Sequence, residues 1–241
     1  MCTLSWQLND ASLEILFNRD EQHSRPPAQP PEIQTIKGVR VLAPLDPPSG
    51  GTWLATNEHG LTLCLLNNYS GRPVMNDAAT RSRGKLVRDL AALDSLEAVH
   101  RELAALQPEQ HQPFFLLAFK GRSTPLKWRW DGQAINPEGT PECPVSTSSL
   151  YPRLVPKLRH YYYRLATRNG LKAFTPEQQL SFHSSQRPWP PSFAVAMSRP
   201  DRGTVSLTRI RLGARETIMD YWHGNPAADP VQAPSQLLSH Q

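Results

Sequence analysis

Cysteine is scarce in this chain. Its three copies, at positions 2, 64 and 143, form neither a disulfide framework nor the paired spacing of a zinc site. No run of about 18 apolar residues could cross a bilayer. The N-terminal stretch, which includes Asn9, Asp10, Glu14 and Asp20, lacks the basic-then-apolar order of a secretory signal. These absences lead us to expect a reduced, cytoplasmic setting and no stable membrane insertion. A phosphate loop, a G-x-S-x-G elbow and an H-x-x-x-H ligand pair are all missing, so no metal and no cofactor is expected. Acidic residues are outnumbered, 21 against 26 basic ones, giving a net charge of +5. The basic residues of the second half include Arg153, Lys157, Arg159, Arg164, Arg168 and Lys172, then Arg199 to Arg215. They read as a solvated surface or as attraction to an anionic ligand. No helix-turn-helix, zinc-finger or RNA-recognition pattern accompanies them, so nucleic acid is not an expected partner.

Proline is abundant. Its 24 copies cluster at 26–31, 44–48, 188–191 and 226–234, where they mark loops. The chain is long enough for one domain with a sizeable core, expected over 1–223, with 224–241 a mobile tail. Strands are expected at 52–56 and 61–66 around the turn Asn57-Glu58-His59-Gly60, with glycine supplying positive φ. Helices follow, one capped by Ser82 and running to about Leu93. The next is capped by Asp94 with Glu97 and carries the stripe Leu96, Val99, Leu103 and Leu106. Strands at 114–119 and 126–130, a helix over 152–169 and a short helix capped by Thr175 come next. A closing hairpin of Phe193–Met197 with Thr204–Leu212 completes an α+β pattern.

Cys2 is the most informative residue. If Met1 is removed, one residue holds a thiol nucleophile and an α-amine of suitable basicity, a known arrangement for covalent catalysis. Cys2-Thr3-Leu4-Ser5-Trp6 alternates as a half-buried strand does, and Leu13 to Phe17 reads as a second strand. With Asn9-Asp10-Ala11-Ser12 as a four-residue turn, Leu8 faces Leu13 and Cys2 faces Arg19. Arg19 would then favour the thiolate, and Asp20 would lie within reach of the amine. His160, in Arg159-His160-Tyr161-Tyr162-Tyr163-Arg164, reads as part of an amphipathic helix rather than as a haem ligand.

Met1-Cys2-Thr3-Leu4, Phe17-Asn18-Arg19-Asp20-Glu21 and Ser24-Arg25-Pro26 together resemble the NRDE-motif proteins, also called transport and Golgi organisation protein 2 homologues. Gly50-Gly51-Thr52-Trp53-Leu54, Asn57-Glu58-His59-Gly60-Leu61, Leu65-Leu66-Asn67 and Ser82-Arg83-Gly84 extend the resemblance, which is strong over 1–90 and weaker to about residue 223. The family is similar to N-terminal-nucleophile hydrolases, which implies a four-layer αββα sandwich. It also implies Cys2 as nucleophile, Arg19 and Asp20 assisting it, and Asn67 near the oxyanion. Apart from the resemblance, Trp53 reads as a packing residue or as the edge of a pocket near Cys2. Where many members carry Leu-Ser-Asn-Ser, this chain has Val145-Ser146-Thr147-Ser148, so at Thr147 a hydroxyl replaces an amide.

Two functions follow. The first is an N-terminal-cysteine amidohydrolase of a non-peptide amide or thioester. The alternative is a non-catalytic carrier for haem or an acyl-CoA-like hydrophobic anion, as the family's links to haem and lipid handling imply. The partner is accordingly a small acyl or amide substrate or a hydrophobic anion, and the oligomeric state is open.

Overall fold

Among the described residues, alternating sequence gives two antiparallel sheets and helical periodicity gives four helices. The computed structural model describes residues 2–9, 11–74, 81–107, 110–168 and 175–241. In chain order the strands and helices are β1 (Cys2–Leu8), β2 (Leu13–Gln22), β3 (Gln29–Ile36), β4 (Val39–Leu45), β5 (Leu54–Asn57), β6 (Leu61–Asn67), α1 (Arg83–Leu90), α2 (Leu96–Ala105), β7 (Phe114–Lys120), β8 (Leu126–Trp130), β9 (Ile135–Gly139), β10 (Val145–Thr147), α3 (Val155–Arg168), α4 (Pro176–His183), β11 (Arg202–Leu212), β12 (Glu216–His223), β13 (Val231–Gln232) and β14 (Gln236–Ser239). The class is α+β, as the sequence predicts.

The chain divides into two compact units. The first takes residues up to 26, 142–211 and 219–235; the second takes 27–141, 212–218 and 236–241. The strand order of the first sheet is β10-β1-β2-β11-β12-β13, with β14 on β12. The β1–β2 register is the predicted one: Leu8 pairs with Leu13, Trp6 with Ile15, Leu4 with Phe17 and Cys2 with Arg19. Helices α3 and α4 pack on each other, α3 against β10 and α4 against β2. Helix α4 starts at the predicted Thr175 cap, which forms a capping box: the Gln178 N–H donates to Thr175 Oγ1 and the Thr175 N–H to Gln178 Oε1.

In the second unit the order is β3-β4-β5-β6-β7-β8-β9. Helices α1 and α2 cover it, burying Leu86, Val87, Leu90, Val99 and Leu103 over Leu63, Leu65, Leu116, Trp128 and Trp130. Several family-like motif residues here hold the backbone together. A Cβ on Gly51 would stand 2.3 Å from the Gly84 carbonyl carbon, and the Thr52 N–H donates to Gly84 O at 3.0 Å. Asn57 accepts the N–H groups of His59 and Leu61 on Oδ1 and donates to Ala91 O and Leu93 O. Gly60 holds the tight turn at φ +70°.

Five expectations need correction. Helix α1 ends at Leu90, and α3 starts at Val155; Asn169 lies outside the described residues. The cap of α2 is Ser95, whose Oγ accepts the Ala98 N–H, while Asp94 accepts from the Ser95 hydroxyl. Both residue types cap well, so the sequence is ambiguous by one position. Phe193–Met197 is not a strand: its buried backbone bonds to Arg187 O and Ser185 O, and β11 pairs in a hairpin with β12. The segment 224–241 carries β13 and β14 and buries Ala233 and Leu238, and Thr217 Oγ1 bonds His240 Nε2 at 2.8 Å. It is part of the fold; such short strands have too little periodicity to read in sequence.

Candidate active site

Strand β1 lies between β2 and β10, so Cys2 has a neighbour on each side: Arg19 on β2 and Thr147 on β10. Directly opposed residues project from one face of a sheet, with Cβ atoms about 4.5–5.5 Å apart. Cys2, Arg19 and Thr147 are all buried. The Arg19 guanidinium is held by Glu21 at 3.6 Å, and Glu21 also pairs with Arg25. Thr147 Oγ1 has no hydrogen-bond partner among the described residues, although the residue is only 4% exposed.

Burial pushes the Cys2 thiol above its ordinary value. The N-terminal charge, a hydrogen bond from the Asp20 backbone and Arg19 pull it down by less, and the Asp20 carboxylate adds to the rise. The thiol is therefore not pre-ionised, and a proton acceptor must be supplied at the moment of attack.

Asp20 side chain lies on the opposite face, with Thr3 and Asn18, as strand alternation requires. Its Oδ1 accepts from Thr204 Oγ1 at 2.6 Å, and its Oδ2 is 3.8 Å from Arg159 Nη1. Arg159 Nη1 also donates to Thr3 Oγ1 at 2.8 Å, and Nε to Phe193 O at 2.9 Å. Thr3 Oγ1 in turn accepts from Ser146 Oγ, so strand β10 joins the same network. Burial lowers the Arg159 pKa, and Asp20 opposes that loss. Read from sequence as surface charge, Arg159 is instead fully buried. The available signal was its helical spacing with Val155 and Tyr163, both buried on the inner side of α3.

A second buried network stands beside it. Asn18 Nδ2 donates to His183 O and Val195 O, so its Oδ1 accepts the His183 Nδ1–H at 3.0 Å. His183 Nε2 then accepts the Ser5 hydroxyl at 2.8 Å, and Gln179 donates to Ser5. Burial lowers the His183 pKa to about 3, keeping the ring neutral. Arg199 reaches Ser148, Ser149 and Ser192 O at 3.4–3.5 Å and so braces the chain just past Thr147.

The structure thus brings together Cys2, Arg19, Asp20 and Thr147. Asn67 and Trp53 belong to the second unit. There Asn67, at the end of β6, donates to the Tyr69 hydroxyl at 3.0 Å, and Trp53 is buried just before β5. Among the described residues no group of His, Cys, Asp and Glu could hold a metal ion.

Solved structures share this fold. Penicillin V acylase from Agrobacterium tumefaciens matches at TM-score 0.58 and 12% identity, covering 95% of this chain and 84% of that one. The C2A mutant of conjugated bile acid hydrolase from Clostridium perfringens matches at 0.54 and 12%, covering 100% and 97%. The Caenorhabditis elegans N-acylethanolamine-hydrolyzing acid amidase ortholog matches at 0.54 and 11%, covering 87% and 92%. The fold is therefore that of the N-terminal-nucleophile hydrolases, as the sequence resemblance implies. No curated protein sequence matches the chain significantly. Residues 1–177 match the family described as Transport and Golgi organisation 2, and the chain belongs to that family.

Proposed function

We propose that this protein is an N-terminal-cysteine amidohydrolase acting on a non-peptide amide or a thioester. The observation that carries this reading is the row Thr147–Cys2–Arg19 across three adjacent strands, at the start of the chain. The names of the structural neighbours, an acylase, a hydrolase and an amidase, support it.

Removal of Met1 turns the Cys2 nitrogen into an α-amine. That amine takes the thiol proton as sulfur attacks the carbonyl carbon. It is the fitting base, because the Asp20 carboxylate is engaged by Thr204 and Arg159. Asp20, so fixed, stabilises the ammonium that forms. Arg19 favours the developing thiolate or a substrate carboxylate, and the Thr147 hydroxyl donates to the oxyanion. The ammonium returns its proton to the leaving amine or thiol. Water then hydrolyses the acyl-cysteine, regenerating the thiol.

The test is turnover of a panel of N-acyl amides and acyl thioesters by protein confirmed by mass spectrometry to begin at Cys2. Multiple turnovers, lost in Cys2→Ala, are expected. Stoichiometric binding without product, unchanged in Cys2→Ala, would overturn the enzyme in favour of a carrier of hydrophobic anions.

A further inference from the structure

Helix α3 has a second apolar side that nothing in its own unit covers. Its inner side buries Val155, Arg159 and Tyr163. Leu154, Leu158, Tyr161 and Leu165 lie elsewhere on the surface of the helix. At about 100° per residue these four fall within an arc of about 60°. Leu154 shares the helical geometry, because the Leu158 N–H donates to its carbonyl at 3.0 Å. Leu154, Tyr161 and Leu165 are 47%, 62% and 45% exposed, and Leu158 is half-buried.

Charge on this helix has one sign. From Cys143 to Pro176 the sequence has no Asp or Glu. Arg153, Lys157 and Arg164 are exposed and fall in one row beside the apolar stripe. None of them makes an ion pair among the described residues; besides the buried Arg159–Asp20 pair, the helix meets an acidic side chain through His160, 3.6 Å from Glu142. Three cations with no anion beside a narrow Leu/Tyr stripe are complementary to a surface that is apolar beneath and anionic above.

We infer that the outer face of α3 docks on the surface of an anionic lipid bilayer. The helix lies flat, with Leu154, Leu158, Tyr161 and Leu165 entering the headgroup–acyl boundary and Arg153, Lys157 and Arg164 among the lipid phosphates. Tyrosine suits that depth, with its ring in the apolar zone and its hydroxyl in the wet one. No helix among the described residues is long and apolar enough to cross a membrane, so α3 lies on the bilayer and does not span it. A second copy is the poorer occupant: a two-fold contact through α3 would set this cationic row against itself. The inference is independent of the chemistry proposed at Cys2.

The test is sedimentation of the full chain with phosphatidylcholine vesicles, with and without about 30% phosphatidylserine. Partition onto the phosphatidylserine vesicles alone is expected, and raising salt to ~0.5 M should release it. Each basic residue near the surface accounts for roughly fivefold in partition, so Lys157→Glu with Arg164→Glu should lower it by at least about 25-fold. Leu154→Ser with Leu165→Ser should lower it by about tenfold or more, with thermal unfolding unchanged. Equal binding to both vesicles, no binding, or binding that both double variants retain would overturn the inference. So would a sedimentation mass that halves in Leu154→Ser/Leu165→Ser, which would assign the stripe to a second copy.

Discussion

Arg159 and Asp20 stand 3.8 Å apart with both side chains completely buried. A buried pair of this kind is costly to form, and costlier to break from one side, because the remaining charge is stranded. Arg159→Met should therefore destabilise the protein by about 3–5 kcal/mol in urea unfolding. Adding Asp20→Asn should recover much of that loss. Purely additive losses in the double variant would mean that the two charges do not act together.

His183 makes stability depend on pH in a definite direction. The folded ring stays neutral down to about pH 3, while the unfolded ring takes a proton below its ordinary 6.5. Its contribution is fully present above pH 6.5 and is lost progressively as pH falls toward 3. Over that window unfolding free energy should fall by about 1.4 kcal/mol per pH unit from this group alone. Chemical unfolding at a series of pH values should show a correspondingly shallower slope in His183→Gln.

Thr147→Val separates folding from chemistry. The hydroxyl is buried without a partner among the described residues, so replacing it by a methyl should leave stability unchanged or slightly raised. If it donates to the oxyanion, kcat should drop by about 10²-fold with little change in KM. Loss of stability without loss of kcat would make Thr147 a packing residue.

Gly51→Ala tests the contact between two motifs of the second unit. The added methyl meets Gly84 backbone, which cannot swing aside as a side chain would. A loss of about 1–3 kcal/mol is expected in thermal or urea unfolding.

The local part of the site was legible in sequence. Alternation from Cys2 to Trp6, a turn of fixed length and a second alternating run determine which residue faces Cys2, and Arg19 follows. The opposite neighbour, Thr147, comes from a strand of three residues far along the chain, and no local pattern announces such a pairing. Arg159 was hidden for another reason. It sits among exposed cations, and only its place on the buried side of α3 distinguishes it. Ser95 against Asp94 shows the limit of capping rules, since two good caps in succession leave the choice to backbone geometry. The buried run Phe193–Met197 has strand composition, yet its polar groups are met by a loop and by Asn18, a solution that propensity does not encode.

The place of β1 between β2 and β10 also sets a timetable. During synthesis β1 can pair with β2 as soon as the first hairpin emerges, but its other edge stays open until Val145–Thr147 has been made. Through that interval the Cys2 thiol is open on one side and exposed to oxidants. Once β10 is added and α3 closes over Thr3, the Cys2 side chain is buried. Under the function proposed above, the trimming that frees the Cys2 amine belongs to that interval. Protein refolded from denaturant with Met1 still attached will assemble the same sheet around an amide nitrogen that cannot accept a proton.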